Sequence, residues 1–115
     1  MSHQSAITTH VLDTAIGRPA SGVPVSLDQW IDGDGWRIIS QSTTGTDGRV
    51  AAFGPAELPA GRYKVTFDTF SYFDSLGQPA FYPEVSVVFM LNDPATQYHI
   101  PLVLSPFAYS TYRGS

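Results

Sequence analysis

The chain has no cysteine. That absence excludes a disulfide framework, a thiolate metal site and a cysteine nucleophile, and it fits a reducing compartment. Charge is scarce as well. Only 14% of residues are Asp, Glu, Lys or Arg, against about 25% in an average domain. A surface this neutral is expected to be covered in part by further copies of the chain. Six basic residues against ten acidic ones leave a net charge of −4. No basic stripe exists to neutralise phosphates, so no nucleic acid partner is expected. No apolar run approaches the ~18 residues of a membrane span, so no membrane partner is expected. Nor does a basic segment followed by an apolar stretch mark the first residues for export, and the expected location is cytoplasmic.

What is present is a chain of 115 residues that is 43% hydrophobic. This is enough for one self-sufficient core and too short for two ordinary domains. Residues 1–5 read as a flexible polar tail and residues 6–115 as a single domain. Gly 10 and Pro 9 punctuate short β-type runs, and no 3.6-residue periodicity persists long enough for a principal helix. Strands are expected over 6–13, 23–31, 36–43, 49–53, 62–69, 85–91, 98–104 and 107–112. Asp32-Gly33-Asp34-Gly35 is the strongest hairpin signal among the turns. Residues 70–78 break the alternation and fit about two helical turns ending at Gly77, before Pro79. Eight strands and one short helix, with turns at this spacing, point to an all-β fold: an antiparallel Greek-key β-sandwich.

Residues able to do chemistry are few. His3 lies in the polar tail. His10 sits mid-strand, with Thr8 and Leu12 on its face and Ile7, Thr9 and Val11 on the other. His99 opens the seventh expected strand, on one face with Pro101 and Val103. Either histidine alone is more often a structural or half-exposed residue. Together they are notable because histidine is the one side chain whose ordinary pKa, about 6.5, suits proton transfer near neutrality. If the fold brings these strands together, the pair can activate water. Arg49 follows the Asp47-Gly48 turn; it is either a solvated charge or a planar guanidinium fork for carbonyl and anionic oxygens. Arg113 has the same two readings. Asp13, Asp32, Asp34, Asp47 and Asp93 all stand at turn signals, where capping the local backbone is their expected task. There is no H-x-H or H-E-x-x-H spacing, so no metal is expected, and no Gly-x-Ser-x-Gly elbow supports a serine nucleophile.

Several segments resemble the transthyretin-related 5-hydroxyisourate hydrolases. They are ITTHVLDTAIGRPASGVPVSL at 7–27, TDGR at 46–49, GRYKVTFDT at 61–69, FYPEV at 81–85, YHIPLVLSPF at 98–107 and STYRGS at 110–115. The terminal Tyr112-Arg113-Gly114-Ser115 is the most specific of them, because in that family it separates the hydrolases from the hormone-carrying transthyretins. The resemblance implies a prealbumin-like sandwich with a short helix after the fifth strand. It also implies a homotetramer built as a dimer of dimers, with sites in the channel between dimers. It assigns His10, Arg49 and His99 as the catalytic set. Tyr112, Arg113, Gly114 and Ser115 would close the site on a small-molecule substrate. The implied reaction, with no metal or organic cofactor, is hydrolysis of 5-hydroxyisourate to 2-oxo-4-hydroxy-4-carboxy-5-ureidoimidazoline in urate degradation. Three departures accompany it. Gln97 stands where many members carry a further histidine, Ala108 where glycine is usual, and TTGT precedes Asp47 in place of the commoner pattern. The competing classes are a non-catalytic transthyretin-like binding or structural module and a transthyretin-like carrier. The segments around Gly17, Thr46 and Gly61 suit those equally, and His10, His99 and the YRGS terminus are what favour an enzyme.

Overall fold

Alternation gives each strand an apolar side and a polar side, and the apolar sides meet between two sheets. A computed structural model describes residues 5–114. In chain order the elements are β1 (Ile7–Asp13), β2 (Arg18–Pro19), β3 (Pro24–Ile31), β4 (Gly35–Thr43), β5 (Gly61–Phe67), α1 (Thr69–Ser75), β6 (Val85–Leu91), β7 (Tyr98–Ser105) and β8 (Ala108–Thr111). One sheet runs β2-β1-β7-β8 and the other β4-β3-β5-β6. Their facing surfaces enclose the core. Ile7 and Val11 of β1, Leu27 of β3, Val65 and Phe67 of β5, and Leu102 and Leu104 of β7 are essentially sealed from solvent. Each such side chain stabilises the fold by about 1.5–3 kcal/mol relative to its exposed state.

An all-β sandwich of eight strands is present, as expected, with four differences in detail. No strand forms over 49–53. That segment makes a single bridge to β1, His10↔Arg49, and then sends Val50 and Phe53 into the core as a loop. Gly54 and Pro55 end any extension of it. The eighth strand is instead β2, two residues long inside what reads as a turn-rich link, with Leu12 opposite Pro19. Proline is tolerated there because β2 is an edge and no further strand needs its missing N–H. The sheets are also not wholly antiparallel, since β1 and β7 pair in parallel. Helix α1 ends at Ser75, two residues short of the expected Gly77. Asp68 begins it by accepting from the Ser71 amide at 3.0 Å, as a helix N-cap does.

Two buried polar ties hold the elements around the site. Asp13, at the end of β1, accepts from the Ala15 amide at 2.9 Å and from the Tyr72 hydroxyl of α1 at 2.7 Å. Burial, and then the neighbouring carboxylate, push the Tyr72 hydroxyl well above its ordinary pKa, so it stays a donor. Thr44 hydroxyl donates to the Ala20 carbonyl at 2.7 Å and accepts from the Val23 amide at 2.9 Å. This clamp fixes the start of the loop that carries Arg49.

Candidate active site

The outer face of the β2-β1-β7-β8 sheet collects the chemistry. Strand β1 turns Ile7, Thr9 and Val11 inward, which leaves Thr8, His10 and Leu12 half-buried on the other side. In β7 the core takes Tyr98, Ile100, Leu102 and Leu104, so His99 faces the same side as His10. The parallel register sets Thr8 against His99 and His10 against Pro101. The two histidines are thus diagonal neighbours across two adjacent strands.

Arg49 arrives from the loop. Asp47 accepts from the Arg49 amide at 2.9 Å. The Gly45 amide donates to the Arg49 carbonyl at 2.8 Å, and the Val11 amide to the Gly48 carbonyl at 2.9 Å. These bonds lay the turn along β1 so that Arg49 pairs with His10. Gly48 is required at the closest approach. Its φ is +76°, and a Cβ there would overlap the Val11 carbonyl oxygen and come within 3.1 Å of the His10 ring. Only glycine takes this conformation without strain.

The C-terminal residues continue the β7–β8 register. Leu102 faces Thr111 in the ladder, and the His99↔Gly114 bridge lies on the same register. Tyr112 therefore stands opposite Pro101 and Arg113 opposite Ile100. Tyr112 and Gly114 share the histidine face. Arg113 goes to the other side, where its guanidinium stacks over the Tyr98 ring at 4.6 Å. There it borders an apolar crevice of about 220 Å³ shared with Phe89 and Ile100. Of the seven residues singled out in the sequence, the structure thus gathers His10, Arg49, His99 and Gly114; it leaves Tyr112 exposed at the rim of the crevice and sets Arg113 behind the sheet. Ser115 and His3 lie outside the described residues. Gln97 donates from its amide to the Ser5 carbonyl at 2.8 Å.

The electrostatics favour proton chemistry by a neutral imidazole. Burial, and then the Arg49 charge and the neighbouring His10, pull the His99 pKa below 6.5. Its ring is consequently uncharged at neutral pH. Nε2 of His10 is buried without a hydrogen-bond partner, alone in this among the described side chains. An unsatisfied buried group of that kind marks a place for a substrate atom or an ordered water. Arg49, whose main chain is held by the turn while its side chain is exposed, adds a cation and a donor fork. Among the described residues no three His, Asp or Glu side chains gather as a metal site.

Two residues of this site escaped the sequence reading. Thr8 approaches His99 with Oγ1 2.9 Å from Nδ1, and Gly48 packs against His10. Alternation already set Thr8 on the histidine face, but only the parallel pairing shows what it touches.

The model of the HIUase/Transthyretin family matches residues 7–114. The mouse 5-hydroxyisourate hydrolase is 42% identical over 99% of this chain and 98% of its own length. The solved Klebsiella pneumoniae 5-hydroxyisourate hydrolase superposes with a TM-score of 0.85 at 36% identity, covering 97% of this chain and 100% of that one. Sea bream transthyretin, solved in complex with thyroxine, superposes with a TM-score of 0.88 at 31% identity, covering 95% and 94% respectively.

Proposed function

The chain belongs to the HIUase/Transthyretin family, and from that premise we propose that it hydrolyses 5-hydroxyisourate to 2-oxo-4-hydroxy-4-carboxy-5-ureidoimidazoline in urate degradation. The fold alone does not choose between enzyme and carrier, since the sandwich is shared with a transthyretin bound to thyroxine. The observation that carries the choice is the convergence of His10, Arg49 and His99 on one face, with Gly114 of the terminal segment against His99. A carrier needs no neutral imidazole beside a guanidinium.

In this reading Arg49 offers its fork to the oxygen atoms of a small planar substrate. His10 and His99 share the attacking water. Water oxygen bonds to a ring carbonyl carbon, one imidazole takes its proton, and the other polar groups stabilise the charge that develops on the carbonyl oxygen. The tetrahedral species then collapses, the ring C–N bond breaks, and the leaving nitrogen receives the proton. Tyr112 and Gly114 close the histidine face, and Arg113 pins the tail from behind through Tyr98. No cofactor enters the scheme, and the proposed location is the cytoplasm.

The site faces outward from a single sheet, so a second copy is needed to enclose it. Assembly as a homotetramer, a dimer of dimers with sites between dimers, meets that need. It is supported by the edge strands β6 and β8 and by the apolar side chains exposed on or beside them, Val88, Met90, Phe107, Tyr109 and Tyr112.

The deciding experiment follows the ultraviolet absorbance of freshly generated 5-hydroxyisourate with and without the protein, in the presence of a chelator. Faster decay with protein is expected. An unchanged rate would leave the carrier or structural reading. Light scattering on the same sample should give four times the chain mass, and a stable, active monomer would overturn the assembly.

A further inference from the structure

Thr8 and His99 are direct partners in the parallel β1–β7 ladder. The Thr8 hydroxyl oxygen is 2.9 Å from Nδ1 of the imidazole, inside hydrogen-bond range. Thr8 is half-buried, and its β-branched side chain has few χ1 states. The hydroxyl is therefore held where it is. Among the described residues it has no other hydrogen-bond partner, so its hydrogen has one protein acceptor within reach, the lone pair of Nδ1. The far side of the ring is restrained as well, because Gly114 lies against Cδ2, Cγ and Cβ of His99. Nδ1 is engaged, and Nε2 across the ring is the nitrogen left for the reaction.

We propose that Thr8 is a positioning residue, which gives its hydroxyl hydrogen to Nδ1 and so holds His99 in the tautomer that carries its proton on Nε2. The consequence for the reaction rests on the hydrolase reading above. His99 then acts as a donor to the carbonyl oxygen as negative charge grows there, beside Arg49, and keeps its proton throughout. Taking the proton from water, and returning it to the leaving ring nitrogen, falls to His10. Among the described residues, the charged and titratable groups that face His99 are Arg49 from the loop and His10 from β1. Both disfavour the imidazolium and leave the choice of tautomer to the hydrogen bond at Nδ1.

The test begins with the unmodified protein. Long-range 1H–15N correlation of histidine-labelled protein at neutral pH, with His99 assigned by His99→Asn, should show Nδ1 bare and Nε2 protonated. In Thr8→Val the same signals should move to a mixture of tautomers. The kcat should fall about 10- to 100-fold, as for the loss of an orienting partner, with KM changed by less than about threefold. Thr8→Ser, which keeps the hydroxyl, should restore most of kcat and the single tautomer. A proton on Nδ1 in the unmodified protein overturns the proposal, whether or not Thr8→Val folds. So does a folded Thr8→Val with unchanged kcat and unchanged signals. An unmodified protein with Nε2 protonated but no effect on 5-hydroxyisourate would sink the hydrolase reading and uphold the tautomer. Activity with the proton on Nδ1 would do the reverse.

Discussion

The main chain of Gly114 lies close against the imidazole of His99. Its amide donates to the His99 carbonyl at 2.9 Å, and a Cβ at position 114 would overlap Cδ2 of the ring. The terminal segment therefore bears on a proposed catalytic group through a residue whose lack of a side chain is what matters. Gly114→Ala should displace the ring or the tail and lower kcat at least about tenfold, the least loss seen when an orienting contact fails. Its thermal midpoint should stay within a few degrees, since the segment lies outside the core. Steady-state kinetics and a melt on one preparation check this, and full activity would defeat it.

Gly48→Ala should behave differently. A Cβ there meets the Val11 carbonyl, the Pro19 side chain at 3.0 Å and the His10 ring, at a φ of +76°. The conformational cost alone is about 1–2 kcal/mol, enough to lower the melting midpoint by roughly 5 °C or more. Both stability and turnover should fall. A variant as stable as the parent would show that the turn rearranges freely.

His99 should titrate below 6.5. Followed by its ring-proton resonance, its midpoint should rise towards the ordinary value in Arg49→Gln, where the guanidinium charge is gone. The rise should be partial, because burial is the larger cause. The linkage sign follows from the lowered value. Between the folded midpoint and 6.5 the unfolded chain binds more protons, so this contribution to stability is full above 6.5 and is lost as pH falls through the folded value. A midpoint at or above 6.5 would contradict the burial of the ring.

His10→Asn and His99→Asn should each lower kcat by about 10²–10⁴-fold, the usual loss for a positioned base or oxyanion donor, while circular dichroism shows an unchanged sandwich. Arg49→Lys should also impair turnover, since an ammonium cannot reproduce the fork. If both histidine variants stay within a few-fold of the parent, proton transfer is carried elsewhere.

Deleting residues 112–115 separates catalysis from folding. The described part of that segment supplies the Gly114 amide bond to His99 and the Arg113 guanidinium over Tyr98. These are worth roughly 1 and 0.5–1 kcal/mol. The truncated protein should lose a few degrees of thermal midpoint and most of its activity. Retained activity in a folded, truncated chain would remove the tail from the mechanism.

The residue order by itself determined the faces. Period-two alternation assigned His10 to the side opposite Ile7 and Val11, and His99 to the side with Pro101 and Val103. Turn chemistry placed the hairpin at Asp32–Gly35 and the helix after the fifth long run. Those features depend on neighbours one to four positions apart. The parallel pairing of β1 with β7 does not, and it alone brings His10 beside His99 and sets the Thr8 hydroxyl on Nδ1. The same holds for the segment after Arg49, which has the composition of a strand yet is drawn into the core as a loop. Arg18–Pro19 pairs as an edge strand although its composition is that of a turn. Arg113 shares the terminal motif with Gly114 but lies behind the sheet, because adjacent residues on an extended chain face opposite ways and the His99↔Gly114 bridge fixes which one faces the histidine. Local pattern decides which way a side chain faces. Which strand lies beside it, and in what register, is settled by burying the whole apolar surface at once, and a site built from both ends of the chain comes into being only then.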